Sequence, residues 1–319
     1  MARVIQRRGG HAEGVHPFSA VSVREGRVVG RLGPPVRTTW RSAAKPFQLR
    51  TSLGVLGDPS LPPEELAVGA ASHTAEPRHL AVVRAVLGRF GVAEEQLRCA
   101  AHAPLYRPAA DAVVRAGGAF SDIHNNCSGK HAFMLAATRA GGWGSDYRAR
   151  THPLQARIRA GLVTLCGAEP DHGIDGCGVP TFVLPLAAFG RAWETLSVAW
   201  SGDGDPVLGD IARAMQTHPE LVSGAGRLDL DIARGAQEPL IVKIGAQALH
   251  CLALPERRLA VIVKVHSGDE SALATATRTA LDTLAPGAFQ PQPDWDWETV
   301  RNVAGVPVGD RIAELDERP

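Results

Sequence analysis

Arg41-Ser42-Ala43-Ala44-Lys45 is the segment best equipped for chemistry. Residues three apart on a helix share a face, so the Ser42 hydroxyl and the Lys45 amine can meet. An uncharged amine takes the hydroxyl proton, and the alkoxide then attacks a carbonyl carbon. A serine at a helix start also gains from free N–H groups and the helix dipole, which favour developing negative charge. The pattern is short. With 14 serines and four lysines in 319 residues, chance alone yields a Ser-x-x-Lys in about one such chain in six. Pro46 adds a tension, because it disfavours helical backbone at Lys45, although proline is tolerated in a first turn.

Lysine usage sharpens the search. Of 34 basic residues only Lys45, Lys130, Lys243 and Lys264 are lysine. Arginine keeps its proton at working pH, whereas a desolvated lysine can lose it and act as base or ligand. The four are candidates for amine chemistry; leftovers of a compositional bias are the plain alternative. Lys243-Ile244-Gly245 ends a predicted strand, where glycine permits close backbone approach. Penicillin-recognising serine enzymes place a Lys-Thr-Gly strand beside their Ser-x-x-Lys helix; here Ile244 replaces the hydroxyl residue, and an ordinary strand-end lysine is the competing reading. Ala71-Ser72-His73-Thr74, between two helices, can supply a second hydroxyl or merely cap a helix.

A third group joins His124-Asn125-Asn126-Cys127-Ser128-Gly129-Lys130-His131 to Asp175-Gly176-Cys177-Gly178. Two thiolates with one or two nitrogens can hold Zn²⁺. Cys127 with His131 is the ordinary i, i+4 pair, whereas Lys130 ligates only after losing its proton. Gly129-Lys130-His131 lacks the glycine-rich lead-in of a phosphate loop. Cys99, Cys166 and Cys251 read as buried small hydrophobes. An odd cysteine count in a long chain with no secretory segment argues against a disulfide framework.

The elements that must position these groups alternate in type. Ala20 to Leu32 predicts a hairpin turning at Glu25-Gly26. Helices are expected over 42–56, 62–71, 78–90, 130–140, 153–165, 181–189, 210–217 and 271–284. The 171–180 stretch reads as a glycine-rich loop, and strands are expected over 239–244, 248–254 and 259–266. Hairpin, helices, then a meander of strands argue for an α/β or α+β layer fold with a mostly antiparallel sheet flanked by helices. The net charge of +1 gives no reason to expect nucleic acid or an acidic membrane as partner. No apolar run is long enough to span a bilayer, so a soluble, cytoplasmic protein is expected.

The stretches RSAAKPFQ, ASHTAEP, NNCSGKHAFML, HPLQ, DGCGVP, AMQTHPELVSGAGRLD and KIGAQ resemble the asparaginase II family, the serine-dependent rhizobial type related in fold to glutaminases and β-lactamases. They run in family order from about residue 10 to 270. The resemblance implies one catalytic domain over 1–319 that hydrolyses the side-chain amide of L-asparagine through an acyl-enzyme. It implies Ser42–Lys45 as a first Ser–Lys pair and Ser72 with the strand lysine as a second, matched to Lys243 with Lys264 as the rival. Cys127, Lys130 and Cys177 become zinc ligands, with zinc structural or affinity-tuning. Asp175 becomes the grip on the substrate's amine, with Arg41, His73, Asn126 and Gly245 completing the substrate set, and a homodimer is implied. Gln247 departs from the pattern, since the family reads glutamate there. The alternatives are a serine amidase for glutamine, a D-amino-acid peptide or a β-lactam, a silent zinc-stabilised amino-acid-binding protein, and zinc-hydroxide hydrolysis.

Overall fold

A computed structural model describes residues 1–316; the last three positions of the expected 1–319 domain lie outside the described residues. The chain opens with β1 (Ala2–Arg8), β2 (His11–Arg24), β3 (Arg27–Leu32) and a short β4 (Arg37–Thr39). Then come α1 (Lys45–Val55), α2 (Pro63–Gly69), α3 (Pro77–Arg89), α4 (Arg107–Arg115), α5 (Ser128–Ala140) and α6 (Pro153–Cys166). β5 (Asp171–Ile174) and β6 (Pro180–Pro185) precede α7 (Leu186–Trp200), α8 (Pro206–Thr217), α9 (Pro219–Val222) and α10 (Leu228–Arg234). The remainder is β7 (Ile241–Gly245), β8 (Leu249–Leu254), β9 (Leu259–Val265), α11 (Leu273–Leu284), β10 (Thr299–Arg301) and β11 (Pro307–Leu315).

Proline opens many of these helices, at the first position of α2, α3, α6 and α8 and at the second of α4. Its missing N–H is one that the first turn leaves unpaired anyway. Asp205 adds a side-chain cap to α8, accepting from the Val207 and Leu208 N–H groups at 3.0 Å.

Eight strands build one antiparallel sheet in the order β10-β11-β1-β2-β9-β8-β7, with β3 also beside β2. The sheet curls because β2 changes neighbours part-way. Its first half, His11–Pro17, pairs with β1, and its second half, Phe18–Val23, pairs with β9. The β2–β3 hairpin turns where sequence places it, with Glu25 and Gly26 both at positive φ (51° and 69°), the geometry that suits a tight two-residue connection. Both sheet faces are covered around β9. Ala260 and Ile262 join the larger core with α7, while Val261, Val263 and Val265 join the core under α11. That explains why β9 is apolar nearly throughout instead of alternating.

The structure corrects two expectations. Residues 171–189 carry β5 and β6, not a loop followed by a helix. β6 pairs with β5 (Asp171 with Val183) and with β4 (Thr39 with Val183) in a separate three-stranded sheet. Thr181, Phe182 and Val183 are strong strand formers, and a short apolar run cannot be told from a helix by periodicity alone. α7 begins only after Pro185. All five cysteines are free and buried. No helix among the described residues is long and apolar enough to cross a membrane.

Candidate active site

The turn bearing Ser42 is built from below. Trp40 is fully buried and stacks on Phe189 with ring centroids 4.8 Å apart. Its N–H donates to the Phe182 carbonyl at 2.8 Å, and the Arg41 N–H donates to Thr181 Oγ1 at 3.1 Å. Arg41 adopts φ +49°, uncommon for a residue other than glycine. A 3₁₀ turn over Arg41–Ala44 follows, and the α-helix proper starts at Lys45. The tension at Pro46 is thereby resolved: proline falls in the first turn, where its missing N–H needs no partner. Gly245 closes the assembly. A Cβ there would stand 2.8 Å from the Trp40 carbonyl oxygen and 2.9 Å from a Leu249 methyl. The close approach that glycine permits is therefore made by the chain's own Ser42 turn.

Lys45 is completely buried. Its Nζ reaches Ser72 Oγ at 2.9 Å, the Asn126 carbonyl at 3.5 Å and the Ala71 carbonyl. Desolvation drives its pKa down, and the nearby Lys130 charge pushes the same way, against an opposing pull from Cys127. A neutral amine offers two N–H donors and one lone pair. The two carbonyls can only accept, so the Ser72 hydroxyl is the group able to give a proton to that lone pair. Among the described residues no hydrogen bond joins Lys45 to Ser42. Ser42 and Ser72 instead share a cavity of about 170 Å³ with Asn126, Ile244, Arg227 and Glu270.

Among the described residues no hydrogen bond joins Lys243 to Ser72, the partner that the family resemblance implied. Lys243 is fully buried, donates to the Ile244 carbonyl at 3.1 Å, and lies 3.7 Å from Asp229 Oδ2. Asp229 also accepts the Ile244 N–H at 3.1 Å and stands 3.0 Å from His250 Nε2. Desolvation lowers the Lys243 pKa to about 7 even though Asp229 opposes the shift. Lys264 spends its amine on the Gln247 and Val265 carbonyls, both at 2.6 Å.

Sulfur surrounds the third lysine. Asn125 fixes the loop before α5, donating to the Cys99 and Ala100 carbonyls at 2.7 Å and accepting the Cys127 N–H at 2.8 Å. Gly129 lets α5 dock, since a Cβ there would collide with the Val68 carbonyl. Lys130 Nζ then meets Cys177 Sγ at 3.0 Å. A hydrogen bond from Cys177 pulls the Cys127 thiol well down, and the same bond pushes Cys177 up. Burial works against the Lys130 charge, but Cys177, Cys127 and Asp175 outweigh it and raise its pKa. His131 holds its Nδ1 2.7 Å from the Tyr147 hydroxyl, and its buried Nε2 has no hydrogen-bond partner. Among the described residues no group of three His, Cys, Asp or Glu could hold a metal. The two thiols are zinc donors by type, and the Lys130 amine could join them only once metal displaces its proton.

The sequence matches the L-asparaginase II family over residues 4–312. The chain belongs to that family. Asparaginase-type amide hydrolysis of a small molecule is the activity that this membership supports. No curated protein matches the sequence. Among solved structures, Mglu in its native form is similar at 14% identity and TM-score 0.46, covering 87% of this chain and 66% of that one. The same protein in 4.3 M NaCl gives 13%, 0.45, 88% and 62%. The chain thus spans less than two thirds of Mglu. SurE with D-Leu gives 15% identity and TM-score 0.43, over 89% of this chain and 75% of that one.

Within this L-asparaginase II family chain, the residues singled out by sequence fall into three places. Ser42, Ser72 and Asn126 line the cavity. Arg41 and Asp175 are bonded to each other, Nε to Oδ1 at 2.5 Å, and Asp175 also accepts the Gly176 N–H at 2.8 Å. Burial disfavours the Asp175 charge, but Lys130 and Arg41 hold its carboxyl below the usual range. His73 is engaged at both nitrogens, Nδ1 accepting from the Ala75 N–H at 3.1 Å and Nε2 lying 2.8 Å from Ser128 Oγ. Sequence reasoning missed Arg227, Asp229 and Glu270 as site residues. The first two lie inside the quoted stretch AMQTHPELVSGAGRLD; a charged pair after a glycine-rich lead-in was the available signal.

Proposed function

We propose that the protein is an L-asparaginase that hydrolyses the side-chain amide of L-asparagine to L-aspartate and ammonia through a seryl acyl-enzyme. The observation that carries this reading is the buried Lys45 amine, set between two carbonyls and the Ser72 hydroxyl beside a cavity that Ser42 lines. Ser42 is the nucleophile, and Lys45 takes its proton through Ser72. The Ser42 N–H, in the first turn of its 3₁₀ segment, holds the oxyanion. Proton return from Lys45 to the amide nitrogen releases ammonia, and water attacks the acyl ester by the reverse relay. Lys243 places a second amine near Lys45 and favours its neutral state. Asp175, kept ionised by Lys130 and Arg41, takes the substrate's ammonium. Zinc held by Cys127, Lys130 and Cys177 would supply rigidity to the loop carrying Asp175. The cavity of about 170 Å³ is smaller than the roughly 300–1,000 Å³ of clefts for drug-sized ligands; this favours a single amino acid over a peptide or β-lactam. Ammonia release from asparagine, glutamine and nitrocefin by the purified protein tests the reading, with loss in Ser42→Ala and Lys45→Met expected. Full activity in Ser42→Ala would sink it, and loss of turnover on chelation alone would favour zinc-hydroxide chemistry.

A second reading makes Ser72 the nucleophile, favoured by its 2.9 Å contact with Lys45. Acid quench during turnover followed by peptide mass mapping separates the two: the aspartyl ester resides on the peptide containing position 42 or on the one containing position 72.

A further inference from the structure

We propose that Arg227 is the anchor for the substrate's α-carboxylate, and so a specificity-determining residue of this cavity; the identity of the substrate rests on the asparagine-hydrolysing reading above. Arg227 lines the same cavity as Ser42 and Ser72. Its Nε is buried and has no hydrogen-bond partner. Among the described residues no carboxylate forms an ion pair with it. Arg41, the arginine adjacent to Ser42, is by contrast already committed to Asp175. A guanidinium nitrogen shut away from water without an acceptor is costly, and a bound carboxylate removes that cost with two parallel N–H···O bonds.

The backbone that carries this side chain is held in place before any ligand arrives. Arg227 caps α10 with extended backbone (φ −112°, ψ 137°), and its carbonyl accepts the Leu230 and Asp231 N–H groups at 3.0 and 3.3 Å. The loop ahead of it is tied down by Glu76, whose Oε2 accepts the Ala225 N–H at 3.1 Å and the Thr74 hydroxyl at 2.7 Å. Gly224 takes φ +124°, with Thr74 packed where a Cβ would be. A cation carried on a fixed stretch of backbone at the cavity wall sets where an amino acid's carboxylate goes, and hence which carbon meets the serines.

Steady-state kinetics on L-asparagine and on 3-aminopropanamide, the same amide lacking the α-carboxylate, test the assignment. Wild type is expected to prefer asparagine. Arg227→Met should raise the KM for asparagine roughly 10–100-fold, lower kcat far less, and collapse the preference between the two amides. Arg227→Lys keeps the charge but not the fork, so its preference should be intermediate; this variant carries the test where the methionine variant does not fold. Preference retained in the folded variant overturns the proposal. Calorimetry with L-aspartate and β-alanine reads the same anchor without turnover. If wild type releases no ammonia, the functional reading fails. The anchor then stands on aspartate affinity lost in the folded variant, or falls on affinity kept.

Discussion

Lys45 and Lys130 are the same residue type, both shut away from water, and they are driven in opposite directions. Lys45 faces carbonyls and a hydroxyl, and its pKa falls because burial dominates. Lys130 faces Cys177, Cys127 and Asp175, and its pKa rises although burial opposes its charge as well. Desolvation removes a charge only where no anion compensates for it. The two are also linked, since the Lys130 charge helps to lower Lys45. The sulfur cluster therefore acts on Lys45 in both directions: Cys127 and Cys177 pull it toward the charged form, and the Lys130 charge that they sustain pushes it toward the neutral one.

The largest effect that could break this comparison comes from Lys45→Met. Loss of a general base removes roughly 10²–10⁴-fold in rate, so ammonia release should fall by at least that much while the fold, read by circular dichroism, persists. Lys130→Met should act mainly on stability. It strips the cation from Cys177 and Asp175, a loss of about 1–3 kcal/mol that urea unfolding would measure, and it removes a donor for zinc. Retained turnover in Lys45→Met together with abolished turnover in Lys130→Met would reverse the roles assigned to the two amines.

What sequence could and could not show follows the same division between local and distant contacts. The β2–β3 hairpin, the helices α2, α3, α6 and α8 and the strands β7 to β9 are written in short-range pattern and form where expected, whereas α4 was not foreseen. β6 is not so written, because it also pairs with β4, more than 140 residues before it, while β5 pairs with β6 alone. Spacing names Ser42 and Lys45 as neighbours on one turn. It says nothing of Ser72, brought to Lys45 across 27 residues; the family resemblance alone implied Lys243 as the partner of Ser72. The fold instead sets Lys243 against Asp229 and leaves Ser72 with Lys45. Arg227 and Glu270 reach the cavity from different elements, so no local motif could assemble them. Lys130 over His131 as a zinc ligand was implied only by family resemblance; in three dimensions Lys130 Nζ meets Cys177 Sγ and His131 Nδ1 faces the Tyr147 hydroxyl.

The smallest effect is the most discriminating. If neutral Lys45 is the working base, kcat/KM declines as pH falls and the amine gains its proton. Lys243, with a pKa near 7, gains its own charge over that limb, and a second cation beside Lys45 opposes its protonation and moves the limb to lower pH. In chelator-treated protein, Lys130→Met deletes a neighbouring cation, so the Lys45 pKa should rise and the acid limb should move to higher pH. Cys127→Ser deletes the thiolate that opposes this, so the limb should move to lower pH. Both shifts should be less than about one pH unit, because charges at this range are attenuated by an effective dielectric near 20. Opposite signs in the two pH–rate profiles would establish that the sulfur cluster tunes the base electrostatically. Shifts of the same sign would mean that the two lysines, though close, answer only to their own surroundings.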